Sequence, residues 1–333
     1  MDFLTSLTSV GLLVALAIPG YILKKLKMLP ENITSGLVTV LLYVAMPFLT
    51  IKSFAEKTFE PELLLNMGIA AALSLLLIAG VFFISKLCFI FPVSKGASGA
   101  PQAVAADGAG TAESVRKVCV TAGYLNNCAF MGIPMLKALF PGTASAEPII
   151  YSAVFTVVFN ILAWTLSVYS MTGDTRFISV KKAILNPPTV ALAVALPVFF
   201  TGFVLPAPVL TAVGFLGELT TPLSMMVMGI RLAEIRLLDL FKSYRVYISV
   251  GVKLIVAPLV TFGFLSLINL IFPLNSVLFI TLYIIMAMPS ASTVIMFAER
   301  FGADRAAAVK CVLLSSLLSI VTIPVLMLMC NLI

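Results

Sequence analysis

Apolar runs of about 20 residues recur from one end of the chain to the other, separated by short polar or proline-containing stretches. About 20 helical residues cross a hydrocarbon core of about 30 Å. Inside such a core a helix satisfies its own backbone hydrogen bonds within one segment. The pattern predicts ten spans, roughly 3–23, 33–53, 62–90, 115–140, 147–171, 184–205, 207–230, 243–270, 276–301 and 304–331. The expected fold class is an all-α polytopic membrane protein of ten transmembrane helices. The first run carries Ala15 and Ala17 in the manner of a signal-peptide cleavage site, but Lys24, Lys25 and Lys27 follow it, so it reads as a retained helix.

Composition agrees with that reading: 61% of the residues are hydrophobic and 11% charged, whereas a soluble domain carries about 25% charged residues. The net charge of +7 calls for no nucleic-acid partner, because topology accounts for it. Of the 21 lysines and arginines, 17 fall in or beside the odd-numbered connections. The other four are Lys52, Lys57, Lys137 and Lys253. The positive-inside rule then puts the odd connections in the cytoplasm and both termini outside. The expected location is the plasma membrane (a bacterial inner membrane), spanned many times and in contact with lipid. Five cysteines without CxxC spacing and no histidine predict neither a disulfide framework nor a metal or other cofactor.

One connection stands apart. Residues 92–113, PVSKGASGAPQAVAADGAGTAE, are rich in Ala, Gly and Ser without hydrophobic periodicity and read as a flexible cytoplasmic linker. The chain also resembles itself: LLYVAMPFL around Pro47 pairs with GELTTPLSM around Pro222, and GYLNNCAFMGIPMLKALFPG with LYIIMAMPSASTVIMFAERFG. Five spans therefore occur twice, in residues 1–171 and 172–333. Because five is odd, the second copy enters from the opposite side, a 5+5 inverted repeat of the kind found in secondary transporters.

The polar and helix-breaking residues of spans 4 and 9 fall at mid-span: Asn126, Asn127, Gly132 and Pro134 in one, Pro289, Ser290, Ser292 and Thr293 in the other. Proline removes a backbone donor and collides with the preceding turn, so both spans are expected to break there. Half-helices that begin at the midplane aim N–H groups and positive dipole ends inward, which suits a carboxylate. The other reading of these residues is ordinary proline kinks with asparagines bonding between helices. Glu218 is the acidic residue placed inside a span and, with Thr293, a candidate for coupling, or else a structural residue close to the outer interface. Lys137 and Lys253 are expected to extend towards headgroups, and Trp164 to pack.

NNCAFMGIPMLKALFPG resembles the MGIP-centred segment of the auxin efflux carrier family, which includes the plant PIN proteins and bacterial malate and malonate permeases. MAMPSASTVIMFAERFG resembles that family's second proline crossover, and LNPPTV its Asn-Pro signature. The resemblance implies a bile acid symporter/NhaA-like fold, with a dimerising scaffold of helices 1, 2, 6 and 7 and an elevator-type transport domain of helices 3–5 and 8–10. It implies substrate at the crossing of helices 4 and 9, with Asn127 on the carboxylate and Pro289 as crossover proline; Asn126, Ser290 and Ser292, polar and at mid-span, are the other substrate-binding candidates. Where plant members carry a proline before that asparagine, this chain has Asn126, which leaves the break in helix 4 open. The long hydrophilic loop of many plant members is absent.

The function expected is secondary transport of a small organic anion such as malate, malonate or an auxin-like acid by a homodimer. Two alternatives stand beside it. One is a sodium- or proton-coupled symporter, although the helix 9 crossover offers hydroxyls where bile acid symporters place an acid. The other is a membrane sensor, although the chain ends at Ile333 directly after span 10. An enzyme is not expected, since histidine, HExxH and a pair of intramembrane carboxylates are all missing. The orientation is testable with single cysteines in a cysteine-free background. Those at Ser98 and Ser243 should be shielded from an impermeant thiol reagent in whole cells and one near Asp2 labelled; the reverse pattern would invert the topology.

Overall fold

The computed structural model describes residues 3–90, 112–234 and 243–332. Their ordered elements are helical, and the described residues form no strand beyond one isolated bridge. The linker predicted at 92–113 lies outside the described residues except for Ala112 and Glu113, which open a helix; Asp2 and Ser98 also lie outside them.

The helices are α1 (Phe3–Lys25), α2 (Ile33–Ala55), α3 (Pro61–Cys88), α4a (Ala112–Tyr124) with α4b (Cys128–Leu139), α5 (Gly142–Thr172) and α6 (Pro187–Thr201). They continue with α7 (Ala207–Ala233), α8 (Tyr244–Ile271), α9a (Ser276–Ala287) with α9b (Thr293–Arg300), and α10 (Arg305–Met327). Among the described residues, seven helices are long and apolar enough to cross a membrane: α1, α2, α3, α5, α7, α8 and α10. Shorter apolar helices are α4b, α6 and α9a, two of them pieces of the spans that break.

Local chemistry sets the ends. The Asn186 side chain accepts from Thr189 N ahead of Pro187, which opens α6, and Gly202 closes it at φ 63°. This trims the span expected at 184–205, because a proline cannot sit deeper in a helix without losing a bond and a glycine takes the left-handed turn without strain. Asn275 caps α9a by accepting from Val277 N and Leu278 N, and Asp304 caps α10 by accepting from Ala307 N.

Proline also accounts for three π-helical turns. Leu41–Ala45, Cys128–Gly132 and Val252–Val256 each end two residues before a proline, Pro47, Pro134 and Pro258. A wider turn moves aside the carbonyl that the ring would strike and leaves no amide unserved. The fourth, Ala163–Ser167, has no proline after it; there Thr165 Oγ1 donates to Ile161 O at 2.7 Å and competes with the ladder.

Packing pairs α1 with α7, α2 with α6 and α7, α3 with α5, α8 with α10, α4a with α10 and α5 with α9a. The α1–α7 contact brings backbones together. A Cβ on Gly229 would meet the Ala17 carbonyl, and one on Gly20 the Met226 carbonyl, so glycine is required on both faces. At α2–α6 the rings of Phe54 and Phe199 lie 5.6 Å apart at 80°. Helix ends are tied by polar contacts. Lys24 pairs with Glu234 at 3.1 Å, Arg245 donates to Ala112 O, and Asp304 N donates to Ser114 Oγ. Lys57 pairs with Glu147 at 3.5 Å.

Replacing Gly229 by valine should therefore force α1 from α7 and cost about 1–3 kcal/mol. Gly36→Ala, where a Cβ meets nothing within 4 Å, should be neutral or slightly stabilising. Thermal unfolding of the purified variants, followed by loss of monodisperse protein, checks the contrast; equal melting temperatures would contradict it.

Candidate functional site

Both breaks expected from sequence occur, and they meet. α4a stops at Tyr124 and α9a at Ala287, and the unwound segments pair as antiparallel backbone, with Asn126 opposite Ser290. Asn127 N donates to Pro289 O at 2.8 Å, and Ala291 N donates to Leu125 O at 3.0 Å. Proline suits this place because it has no N–H to leave unsatisfied while its carbonyl remains free to accept. The Asn127 carbonyl in turn accepts from Met131 N and Gly132 N at 3.3 and 3.0 Å, opening α4b with the π turn ahead of Pro134. Ser290 is fastened from both sides: its N–H donates to Ser315 Oγ at 3.0 Å, and its hydroxyl donates to Ala122 O at 2.8 Å.

The sequence-selected residues divide. Asn126 is buried in the crossing itself, where its Nδ2 donates to Met286 Sδ at 3.1 Å and its Oδ1 has no partner. Pro289 and Ser290 serve the backbone. Asn127 and Ser292 line a small cavity between α7 and the group α4b, α9b and α10. Thr293 is half-buried at the start of α9b. Gly132 faces Asn127 O, Met288 and Ile285 at ordinary contact distance from an added Cβ, so space alone does not demand glycine there.

The cavity measures about 20 Å³, room for one water-sized group. α7 contributes Ser224, Val227, Met228 and Arg231, spaced as one helical face. α10 contributes Val312, Leu313 and Ser316, and α4b adds Phe130. Among the described residues the side chains of Asn127, Ser292 and Arg231 make no hydrogen bond within the chain, and the buried Ser224 hydroxyl has no partner. No acidic side chain lines the cavity. Glu234 and Glu299 act on Arg231 from a distance. An amide, hydroxyls and a guanidinium around one space form a donor set for an anionic oxygen.

Two expectations about charge are corrected. Lys253 does not reach towards headgroups: it is fully buried in the π turn of α8, with Nζ donating to Met286 O at 3.3 Å. The widened turn and the break in α9a bring it behind the crossing. Glu218 is not a buried carboxylate. Its side chain is 53% exposed and bridges Lys52 of α2 at 3.0 Å and Lys137 of α4b, so Lys137 is held by this pair. Sequence counting took Arg231 as an orientation charge; its spacing from Ser224 along a mixed face was the signal that it turns inward.

Comparison with known proteins follows the same line. Residues 170–327 match the family described as Membrane transport protein. A protein of Methanothermobacter thermautotrophicus described as an uncharacterized transporter is 26% identical over 325 residues, covering 97% of this chain and 98% of its own length. The matched family is the one that the two crossover segments resemble, and the match takes in the second of them: this chain is similar to the membrane transport proteins of the auxin efflux carrier family.

Proposed function

We propose that the protein is a secondary carrier for a small organic anion, with the anion's carboxylate held by Asn127 and Ser292 at the crossing and met by Arg231 from α7. The observation that carries this reading is the cavity itself, which gathers unpartnered donors and a guanidinium without an acid. A cavity of about 20 Å³ is smaller than a dicarboxylate, so the site must open by motion of α7 against α4b, α9b and α10. The family resemblance makes that motion elevator-type alternating access, with α1, α2, α6 and α7 as scaffold and α3–α5 with α8–α10 as the moving part.

The same reading takes the ten helical segments as a 5+5 inverted repeat in residues 1–171 and 172–333. Its support is that packing repeats under exchange of the halves. α1 on α7 answers α6 on α2, α3 on α5 answers α8 on α10, and α4a on α10 answers α9a on α5. The polar contacts Lys24–Glu234, Arg245–Ala112 and Asp304–Ser114 each join helix ends that alternation puts on one side. With the positive-inside rule that side is cytoplasmic, in a plasma membrane. Dimerisation through the scaffold rests on the family resemblance. Glu218 enters coupling here as a link that motion must break, since its carboxylate joins α7 to Lys137 of α4b.

Uptake of labelled malate, malonate and indole-3-acetate into proteoliposomes identifies the substrate class, and calorimetry on monodisperse variants tests the site. Losing one hydrogen bond to a charged group costs about 1.5–3 kcal/mol. Asn127→Ala should therefore bind the transported anion roughly 10- to 100-fold more weakly, and Asn127→Asp more weakly still, because it adds a negative charge beside the anion. Arg231→Gln should weaken binding by about tenfold or more, and Arg231→Lys by less than Arg231→Gln. Wild-type affinity in the Asn127 variants would remove the crossing as the site.

A further inference from the structure

A lysine with no exposed surface, deep in a helix bundle, needs a reason, since its charge is expensive there and its three N–H donors seek acceptors. Lys253 donates to a single carbonyl, that of Met286, and has no ion pair with any carboxylate among the described residues. Its position supplies the reason. Met286 lies in the last turn of α9a, which stops at Ala287. The final carbonyls of a helix end in mid-bundle, and the negative end of its dipole points out of the break. In cation-coupled carriers such half-helix carboxyl ends and unwound carbonyls coordinate the exchangeable cation.

We infer that Lys253 is the resident cation of this carrier: its ammonium holds, at the carboxyl end of α9a, the place that an exchangeable sodium ion takes in a cation-coupled carrier, so that anion binding at Asn127 needs no sodium. This rests on the carrier reading above and extends it to the coupling ion. Three features of the surroundings fit. α4a, α9a and α10 all pack on the turn that carries Lys253, so the ammonium is fixed within the same helices as Asn127 and Ser292. Among the described residues no acid pairs with the Lys253 ammonium, so none competes with a bound anion for its charge. Asn126 Nδ2 bonds Met286 Sδ, which ties the residue that Lys253 touches to the break in α4. A protonated Lys253 beside the crossing offsets the charge of a carboxylate carried through a low-dielectric interior.

The experiment uses the purified full chain, with ²²Na⁺ and whichever of labelled malate, malonate and indole-3-acetate the wild type transports. The wild type should bind and transport that anion equally in sodium and in choline chloride and show no saturable ²²Na⁺ binding. Lys253→Met keeps length but loses charge, and it should bind the anion about tenfold more weakly or worse in either salt. If that variant does not remain monodisperse, the two sodium measurements on the wild type decide. Saturable ²²Na⁺ binding, sodium-stimulated anion binding, or wild-type affinity in monodisperse Lys253→Met would each overturn the assignment. Asn127→Ala measured in parallel separates the failures: if it weakens binding while Lys253→Met does not, the site stands and the resident cation falls.

Discussion

Two backbone hydrogen bonds, Asn127 N to Pro289 O and Ala291 N to Leu125 O, make the rest of this architecture tolerable. An unwound peptide in an apolar interior leaves N–H and C=O groups that cost several kcal/mol each if unserved. Two breaks placed against each other serve one another. Once they do, four half-helices end at one point, and their terminal groups and dipoles become available for chemistry that continuous helices would hide. The buried hydroxyls of Ser290 and Ser315 complete the accounting, while the side chains of Asn127 and Ser292 are left to face the cavity.

The distribution of charge around that point has a direction. Arg231 stands on the cavity side, supplied by α7. Lys253 lies behind the crossing on α8, without an exposed atom. Acidic groups lie elsewhere: Glu218 between Lys52 and Lys137, Glu147 with Lys57, Glu234 with Lys24. A site flanked by cations, with its carboxylates engaged in pairs at a distance, is biased towards anions.

Much of this was legible in the sequence because its causes are local. Proline, asparagine and glycine act on the backbone within one turn, so the breaks at Asn126–Asn127 and Pro289 follow from residue type, whereas the apolar run alone carries span 6 to 184–205 and past its ends at Asn186 and Gly202. The π turns follow the same rule, though the cue, a proline two residues on, is plain only once the turns are seen. Side-chain burial is different, since it depends on what packs opposite. Lys253 was missed for that reason, since the lysine in an apolar run is the buried charge, whereas Glu218, half exposed and reaching two lysines from other helices, fits the structural alternative read for it near the interface. Likewise, nothing local distinguishes Asn126 from Asn127. The pairing register alone turns one into the packing and the other onto the cavity.

On the proposed function the substrate sits at the crossing of α4 and α9. Cryo-electron microscopy of the full chain in lipid nanodiscs, with the transported carboxylate at saturation, tests it most directly. The account predicts carboxylate density within hydrogen-bonding distance of the Asn127 amide, next to Ser292 and on the cavity side of the Asn126–Ser290 bridge. Density for the anion elsewhere, with the crossing unchanged and Asn127 still unpartnered, would contradict it.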